Sequence, residues 1–350
     1  MTEGDVKTIQ FGLGAKAALV VIGLLIGLAA AETALRILVP ARKGTEFDSL
    51  NELRRTILSE GSDTTSSKGE TIDGIDSGNL RAIINPHPDD RIIFDLKPNL
   101  DTTFQRASLK TNSCGMRGAE RSTAKPPDTF RIALLGDSFA FGWGVQQEES
   151  FAQRLEDNLN RLAQGRRRFE VLNFGVPGYS TFQEVAKFKE SGLDFSPDAI
   201  LVFFVQNDFG FPFYVRDIYN PGSVLAATEF ARLSWKAIDP NIEQQRLELL
   251  GYDPNSALRQ LAKLARQERI PLFLTFNPRK DWDKDLYRLP ILKKRKDIRV
   301  INLRPDFENI MAVRGYAEAE LTLAHDPHPS PLRHAIYGDI LTPYFMYALP

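Results

Sequence analysis

Residues 130–139 read Phe-Arg-Ile-Ala-Leu-Leu-Gly-Asp-Ser-Phe, and this stretch decides the fold. Its first six residues form a short apolar run with one charge. That length and character predict a strand buried on both faces, as in parallel sheets. Gly136-Asp137-Ser138 then ends the run. A serine just past a buried strand, beside a glycine, can occupy a tight turn with its hydroxyl exposed. Backbone N–H groups of the following helix then face any developing oxyanion. The same tripeptide is also a common turn or helix cap. What lies further along the chain decides between the two.

Outward from this block, short apolar runs recur at Phe169–Phe174, Ala199–Val205, Pro271–Phe276 and Ile298–Leu303. Between them lie amphipathic stretches at Ser150–Leu162, Thr181–Ser191 and Ser256–Gln267. A weaker one, Asp285–Lys294, is interrupted by Pro290, which predicts a short or broken helix. Alternating strand and helix predicts a three-layer α/β/α fold around a parallel five-stranded sheet. Ligands in such folds bind beyond the C-terminal ends of the strands.

Each remaining strand end carries something polar. The second leads into Asn173-Phe174-Gly175-Val176-Pro177-Gly178-Tyr179-Ser180, where two glycines allow close backbone approach to a ligand or a plain turn. The third leads into Val205-Gln206-Asn207-Asp208. Asn207 can donate to an oxyanion or satisfy a loop backbone. Of four histidines, His325, His328 and His334 cluster in His325-Asp326-Pro327-His328-Pro329-Ser330-Pro331-Leu332-Arg333-His334. Pro327 and Pro329 hold this stretch off helical geometry and predict a rigid loop. An imidazole there can take a proton from a serine while a carboxylate fixes its tautomer. A metal site and solvated loop histidines are the alternatives.

In this order the four blocks resemble the SGNH (GDSL-type) serine hydrolases, in a membrane-anchored member. The matching residues are Gly136-Asp137-Ser138-Phe139 followed by FGWGV, Asn173 to Gly178, Asn207-Asp208, and Asp326 to His328. Thr111-Asn112-Ser113-Cys114-Gly115-Met116-Arg117-Gly118 also resembles a segment found ahead of the serine block in anchored members. The resemblance implies an SGNH/flavodoxin-like sheet, with Ser138 as nucleophile, His328 as general base and Asp326 orienting the imidazole. It implies an oxyanion hole of the Ser138 and Gly178 N–H groups and the Asn207 amide. Two departures stand out. The family spacing Asp-x-x-His is replaced by Asp326-Pro327-His328, with His325 where the acid is expected. Val205 and Gln206 replace a glycine usual before the Asn-Asp pair.

The rest of the chain sets the context. Forty-four Lys plus Arg balance 45 Asp plus Glu in 350 residues, for a net charge of −1. A nucleic-acid partner is not expected, since phosphate binding needs a basic excess. The single cysteine, Cys114, excludes an intrachain disulfide and a cysteine-based zinc site. No cofactor is expected. The mean hydropathy of −0.26 excludes a polytopic membrane protein but allows one span.

Ala17–Ala31 is uncharged, and its apolar character continues to Val39. This predicts an N-terminal transmembrane helix within residues 1–40. A signal peptide cut after Ala29-Ala30-Ala31 and a buried soluble helix are the alternatives. Lys7 and Lys16 before the span and Arg36, Arg42 and Lys43 after it leave the positive-inside rule undecided. Either an anchor with its N-terminus in the cytoplasm or a signal peptide places the catalytic part outside the cytoplasm, periplasmic or extracellular.

The expected organisation continues with a flexible stalk at 41–90 and a lead-in at 91–128. A hydrolase domain follows at 129–350, with an insertion at 209–253 that opens with Phe209, Phe211, Phe213 and Tyr214. That insertion reads as a lid or acyl-binding wall, an extra core layer, or a membrane-facing edge. The expected partner is a small-molecule or glycan acyl ester, acetyl on an envelope or exported glycan being one candidate. An O-acyltransferase using the same serine and histidine, or an inactive binding module on the same fold, remains open.

Overall fold

The computed structural model describes residues 12–38, 55, 71–72, 75–76, 80–210 and 251–347. The chain divides into two units. One holds residues 1–46 and 219–245, and the other holds 47–218 and 246–350. In the first, helix α1 runs over Leu13–Leu38, 26 residues. At 1.5 Å per residue it is about 39 Å long, enough for a hydrocarbon core of roughly 30 Å. Its apolar side chains, Leu19, Leu24, Leu25 and Ile26 among them, are exposed. The buried-soluble-helix alternative therefore does not describe it. Residues Gly14–Ala34 are long and apolar enough to cross a membrane, a property that a signal sequence shares.

The second unit is built on one parallel sheet. Its strands are β1 (Thr129–Leu135), β2 (Arg168–Asn173), β3 (Ala199–Phe204), β4 (Leu272–Phe276) and β5 (Ile298–Ile301). They lie in the order β2-β1-β3-β4-β5, and every neighbouring pair is parallel. The order reverses direction between β1 and β3. That is the topological switch point, where open α/β sheets bind ligands.

Strand side chains alternate between the faces, as the two-residue period requires. Ile132 and Leu134 of β1 and Leu201 and Phe203 of β3 face one side. They pack there against α3 (Phe151–Ala163), α8 (Arg304–Arg314) and α9 (Pro331–Tyr347). Ala133, Leu135, Val202 and Phe204 face the other side, against α4 (Thr181–Ser191) and α5 (Pro254–Gln267). Two apolar faces covered by helices make the expected three layers. Ser150 and Asp253 cap α3 and α5 by accepting from first-turn N–H groups that have no partner within the helix. The expected break falls at Pro290: α6 (Trp282–Arg288) ends before it, and α7 (Pro290–Lys294) starts on it.

The one charge in the opening run is buried. Arg131 donates to Glu170 of β2 (2.9 Å) and to the carbonyls of Ser122 (2.7 Å) and Phe195 (2.8 Å). Satisfying a buried guanidinium in this way offsets its desolvation. It also ties the lead-in to the end of the sheet opposite the serine.

One expected boundary differs. Leu80, Ile83 and Ile84 are buried, and Ile84–Pro86 pairs with Phe94–Leu96, so packed structure is already present at residue 80, ahead of the expected 91. Of the expected stalk, residues 41–79 lie outside the described residues apart from Arg55 and the antiparallel pair Thr71–Ile72 and Ile75–Asp76. The insertion from 211 to 250 also lies outside them.

The histidine segment is not a loop. Thr322–Leu323 (β6) and Asp326–Pro329 (β7) form a small antiparallel hairpin that leads into α9. Proline fits an extended backbone where no ladder N–H is needed, so the two prolines stop a helix without stopping a short edge strand.

His334, on α9, is fully buried, and its Nδ1 accepts from the Phe151 N–H at 3.2 Å. Burial, with help from the Arg117 charge, pushes its pKa from 6.5 down to about 3. The folded state therefore keeps His334 neutral where the unfolded chain protonates it, and stability falls as pH drops from 6.5 toward 3. His334→Asn retains an acceptor but does not titrate. Relative to that variant, the wild type should lose about 1.4 kcal/mol of unfolding free energy per pH unit in this window. Urea unfolding at several pH values measures the difference. Parallel curves would show that His334 contributes nothing to acid sensitivity.

Candidate active site

The chain turns sharply after β1. Gly136 and Asp137 lead into α2 (Ser138–Phe141), one turn long. Asp137 is its N-cap and accepts from the Phe139 N–H through Oδ1 (2.9 Å). Its other oxygen, Oδ2, accepts from the Asn207 amide at 2.6 Å. Asn207 lies in the turn after β3, so one buried carboxyl joins the two strand ends that flank the switch point. Burial pushes the Asp137 pKa up, while the Phe139 N–H, the Asn207 amide and the nearby His328 pull it down.

Ser138, the first residue of α2, is buried apart from a small opening. His328 of β7 reaches it: Nε2 lies 2.8 Å from Ser138 Oγ. Asp326 Oδ1 hydrogen-bonds His328 Nδ1 and also accepts from the His328 backbone N–H at 2.8 Å. The spacing that departs from the family pattern thus has a structural reason. In a strand, residues i and i+2 share a face. Asp326 and His328 therefore meet with a single residue between them. His325 lies at the hairpin turn and is exposed.

The second strand's block serves the turn. Asn173 Oδ1 accepts from the Gly175 N–H (2.9 Å), and its amide donates to the Ala140 carbonyl (2.9 Å). This ties the β2 turn to α2. Gly178 follows in that turn with φ +82°, a conformation that favours glycine. In the third block, Asp208 Oδ2 accepts from the Val205 N–H (2.7 Å) and braces the turn carrying Asn207. Burial, then the Asp137 charge, pushes the Asp208 pKa up to about 8. Val205 is buried in the core and Gln206 is exposed.

Ser138 Oγ also lies 3.4 Å from Asp137 Oδ2, so the structure joins Ser138, His328, Asp326 and Asn207, through Asp137, in one hydrogen-bonded group. Gly178 lies in the turn after β2 and has no hydrogen bond to them. The three clustered histidines do not converge. His328 faces the serine, His325 is exposed, and His334 packs on Phe151 (ring centroids 5.8 Å apart). Among the described residues no group of three or more His, Cys, Asp or Glu side chains could hold a metal ion. Sequence reasoning missed the linking role of Asp137. The available signal was a carboxylate directly after a buried strand, which must find donors.

Residues 134–336 match the model of the GDSL-like Lipase/Acylhydrolase family. No curated protein matches the chain. Among solved structures, the chain is similar to a two-domain esterase active on acetylated mannans, co-crystallised with mannopentaose. The identity is 16%, the TM-score 0.41, and the match covers 62% of this chain and 49% of that one. The chain thus spans about half the length of that esterase. A psychrotrophic esterase from Pseudoalteromonas sp. is 13% identical, with TM-score 0.39 and coverage of 61% and 96%. A lipase from a goat rumen metagenome is 17% identical, with TM-score 0.42 and coverage of 61% and 95%.

Asp137→Asn replaces one acceptor oxygen with a donor, so either the Phe139 N–H or the Asn207 amide loses its partner. The expected cost is about 1–3 kcal/mol of stability. Urea unfolding checks it, and an unchanged midpoint would mean that Asp137 does not tie these turns together.

Proposed function

The chain belongs to the GDSL-like lipase/acylhydrolase family, and from that premise we propose that it cleaves a carboxylic ester through an acyl-Ser138 intermediate. The observation that carries the reading is the 2.8 Å contact between Ser138 Oγ and His328 Nε2, with Asp326 on Nδ1. With Nδ1–H held by a carboxylate, Nε2 is the acceptor nitrogen. Ser138 Oγ attacks the ester carbonyl carbon while His328 Nε2 takes its proton. The tetrahedral oxyanion is met by the Ser138 N–H, the Gly178 N–H and the Asn207 amide. The Asn207 amide has two hydrogens, and Asp137 engages one of them. As the carbon–oxygen bond breaks, His328 gives the proton to the departing alkoxide. Water then attacks the acyl-serine, losing its proton to His328. The acid leaves, and Ser138 Oγ regains its proton.

The finer reading is an acyl group, acetyl above all, removed from an envelope or exported glycan. An N-terminal helix of membrane-crossing length supports it, because a tether would hold the hydrolase beside such polymers outside the cytoplasm. A glycan hydroxyl in place of water at the second step would make the same machinery an acyltransferase.

Labelling with a serine-directed fluorophosphonate should modify wild-type Ser138. His328→Ala should lose labelling and turnover together, and Ser138→Ala should lose both entirely. Wild type left unlabelled when folded would leave a binding module. Asn207→Ala should lower kcat by about 10²–10³-fold, the cost of one oxyanion donor. Acetyl-ester turnover measured with and without a glycan acceptor separates water from sugar as the acyl acceptor. Transfer outpacing hydrolysis would reject the hydrolase reading.

A further inference from the structure

Asp326 cannot by itself set His328 against Ser138. Acid and base sit two residues apart on the same short strand, so they move together with the hairpin. Some other group must hold that hairpin in register with the nucleophile. The structure puts an indole ring there. Trp143 lies five residues after Ser138, and its backbone N–H donates to the Ser138 carbonyl at 3.0 Å. Its ring stacks face to face on the His328 imidazole, with centroids 4.8 Å apart and planes at 18°. Gly142 (φ +88°) and Gly144 (φ +70°) on either side fold the chain so that this ring lies on the imidazole. Gly144 also abuts Leu323 of the hairpin so closely that a Cβ there would lie 2.4 Å from the leucine Cδ1.

The lead-in supplies the clamp. Phe104 meets Trp143 edge-on, with centroids 4.9 Å apart at 81°. The buried Arg117 guanidinium donates to the carbonyls of Phe141 (3.1 Å), Gly142 and Val145 (2.6 Å), the backbone around Trp143. The indole Nε1–H is buried without an acceptor among the described residues. A buried unpaired donor is unfavourable, so a hydrogen bond does not account for the ring's position. Its face against the imidazole does.

We propose that Trp143 is the positioning residue of the general base, held in place by Phe104 and Arg117 of the lead-in. Its face keeps His328 Nε2 aimed at Ser138 Oγ and favours the imidazolium formed when the serine proton is taken. This rests on the reading of His328 as the base. The lead-in is then part of the catalytic apparatus rather than a spacer before it.

The test is ester turnover and fluorophosphonate labelling in full-length Trp143→Leu, Trp143→Phe and Phe104→Leu, beside His328→Ala. Misaligning the base should lower kcat and the labelling rate of Trp143→Leu at least about 10-fold while KM changes little. Trp143→Phe restores an aromatic face and removes the unpaired N–H, so it should regain most of the rate. If Trp143→Leu does not fold, Phe104→Leu decides. A fall in kcat with KM held supports the proposal, and an unchanged kcat overturns it. Trp143→Leu with wild-type kcat, or Trp143→Phe as impaired as Trp143→Leu, also overturns it. A wild type that neither turns over esters nor labels, or a His328→Ala that keeps full activity, would instead bring down the base assignment itself.

Discussion

The site depends on one buried carboxyl at the switch point. Asp137 follows β1 directly and is almost wholly buried, so its oxygens need donors from the protein. It takes them from the Phe139 N–H, in the first turn of α2, and from the Asn207 amide, which lies beyond β3. The first bond sets the turn that carries Ser138. The second ties the ends of two strands on either side of the point where the sheet order reverses. Ser138 and Asn207 are therefore neighbours because a buried carboxyl must find donors, and a parallel sheet makes the meeting geometrically available.

Around that joint the sheet supplies rigidity. Both faces are covered by helices, and the side chains of β1 and β3 alternate between two apolar cores. The turns are then braced individually. Asn173 holds the β2 turn against α2, and Asp208 holds the turn after β3. The remaining component, His328, arrives from a hairpin near the other end of the chain. Its acid partner travels on the same strand, which explains how a one-residue spacing replaces the usual two. It also leaves alignment with Ser138 to contacts outside the Asp-His pair, and the stack on Trp143 is one of them.

Much of this architecture is legible in the sequence because it is local. The five apolar runs and the amphipathic stretches between them coincide with strands and helices to within one or two residues in most cases. The interruption at Pro290 also falls where the ring chemistry requires. The histidine segment reads as a loop in sequence because prolines report only what a backbone cannot be. An extended edge strand excludes helix as well as a loop does, and its pairing with Thr322–Leu323 is a tertiary fact. The start of the lead-in is hidden in the sequence for a related reason. Leu80, Ile83 and Ile84 sit in a polar neighbourhood, and only their packing shows them to be core.

By itself the sequence determined the fold class, the strand ends where chemistry is sought, and the residue types available there. Those follow from periodicity, chain length and side-chain chemistry, which act over a few residues. The resemblance singled out His328, but only the tertiary structure decided that this one of three clustered histidines meets Ser138, 190 residues away. It also decided that Asp326 is in reach of that histidine, since a shared strand face depends on the segment being a strand. The same holds for Asp137 as the joint between two turns and for Trp143 against the imidazole. Each is a relation between side chains whose positions are set by packing of distant segments, and no local pattern encodes it.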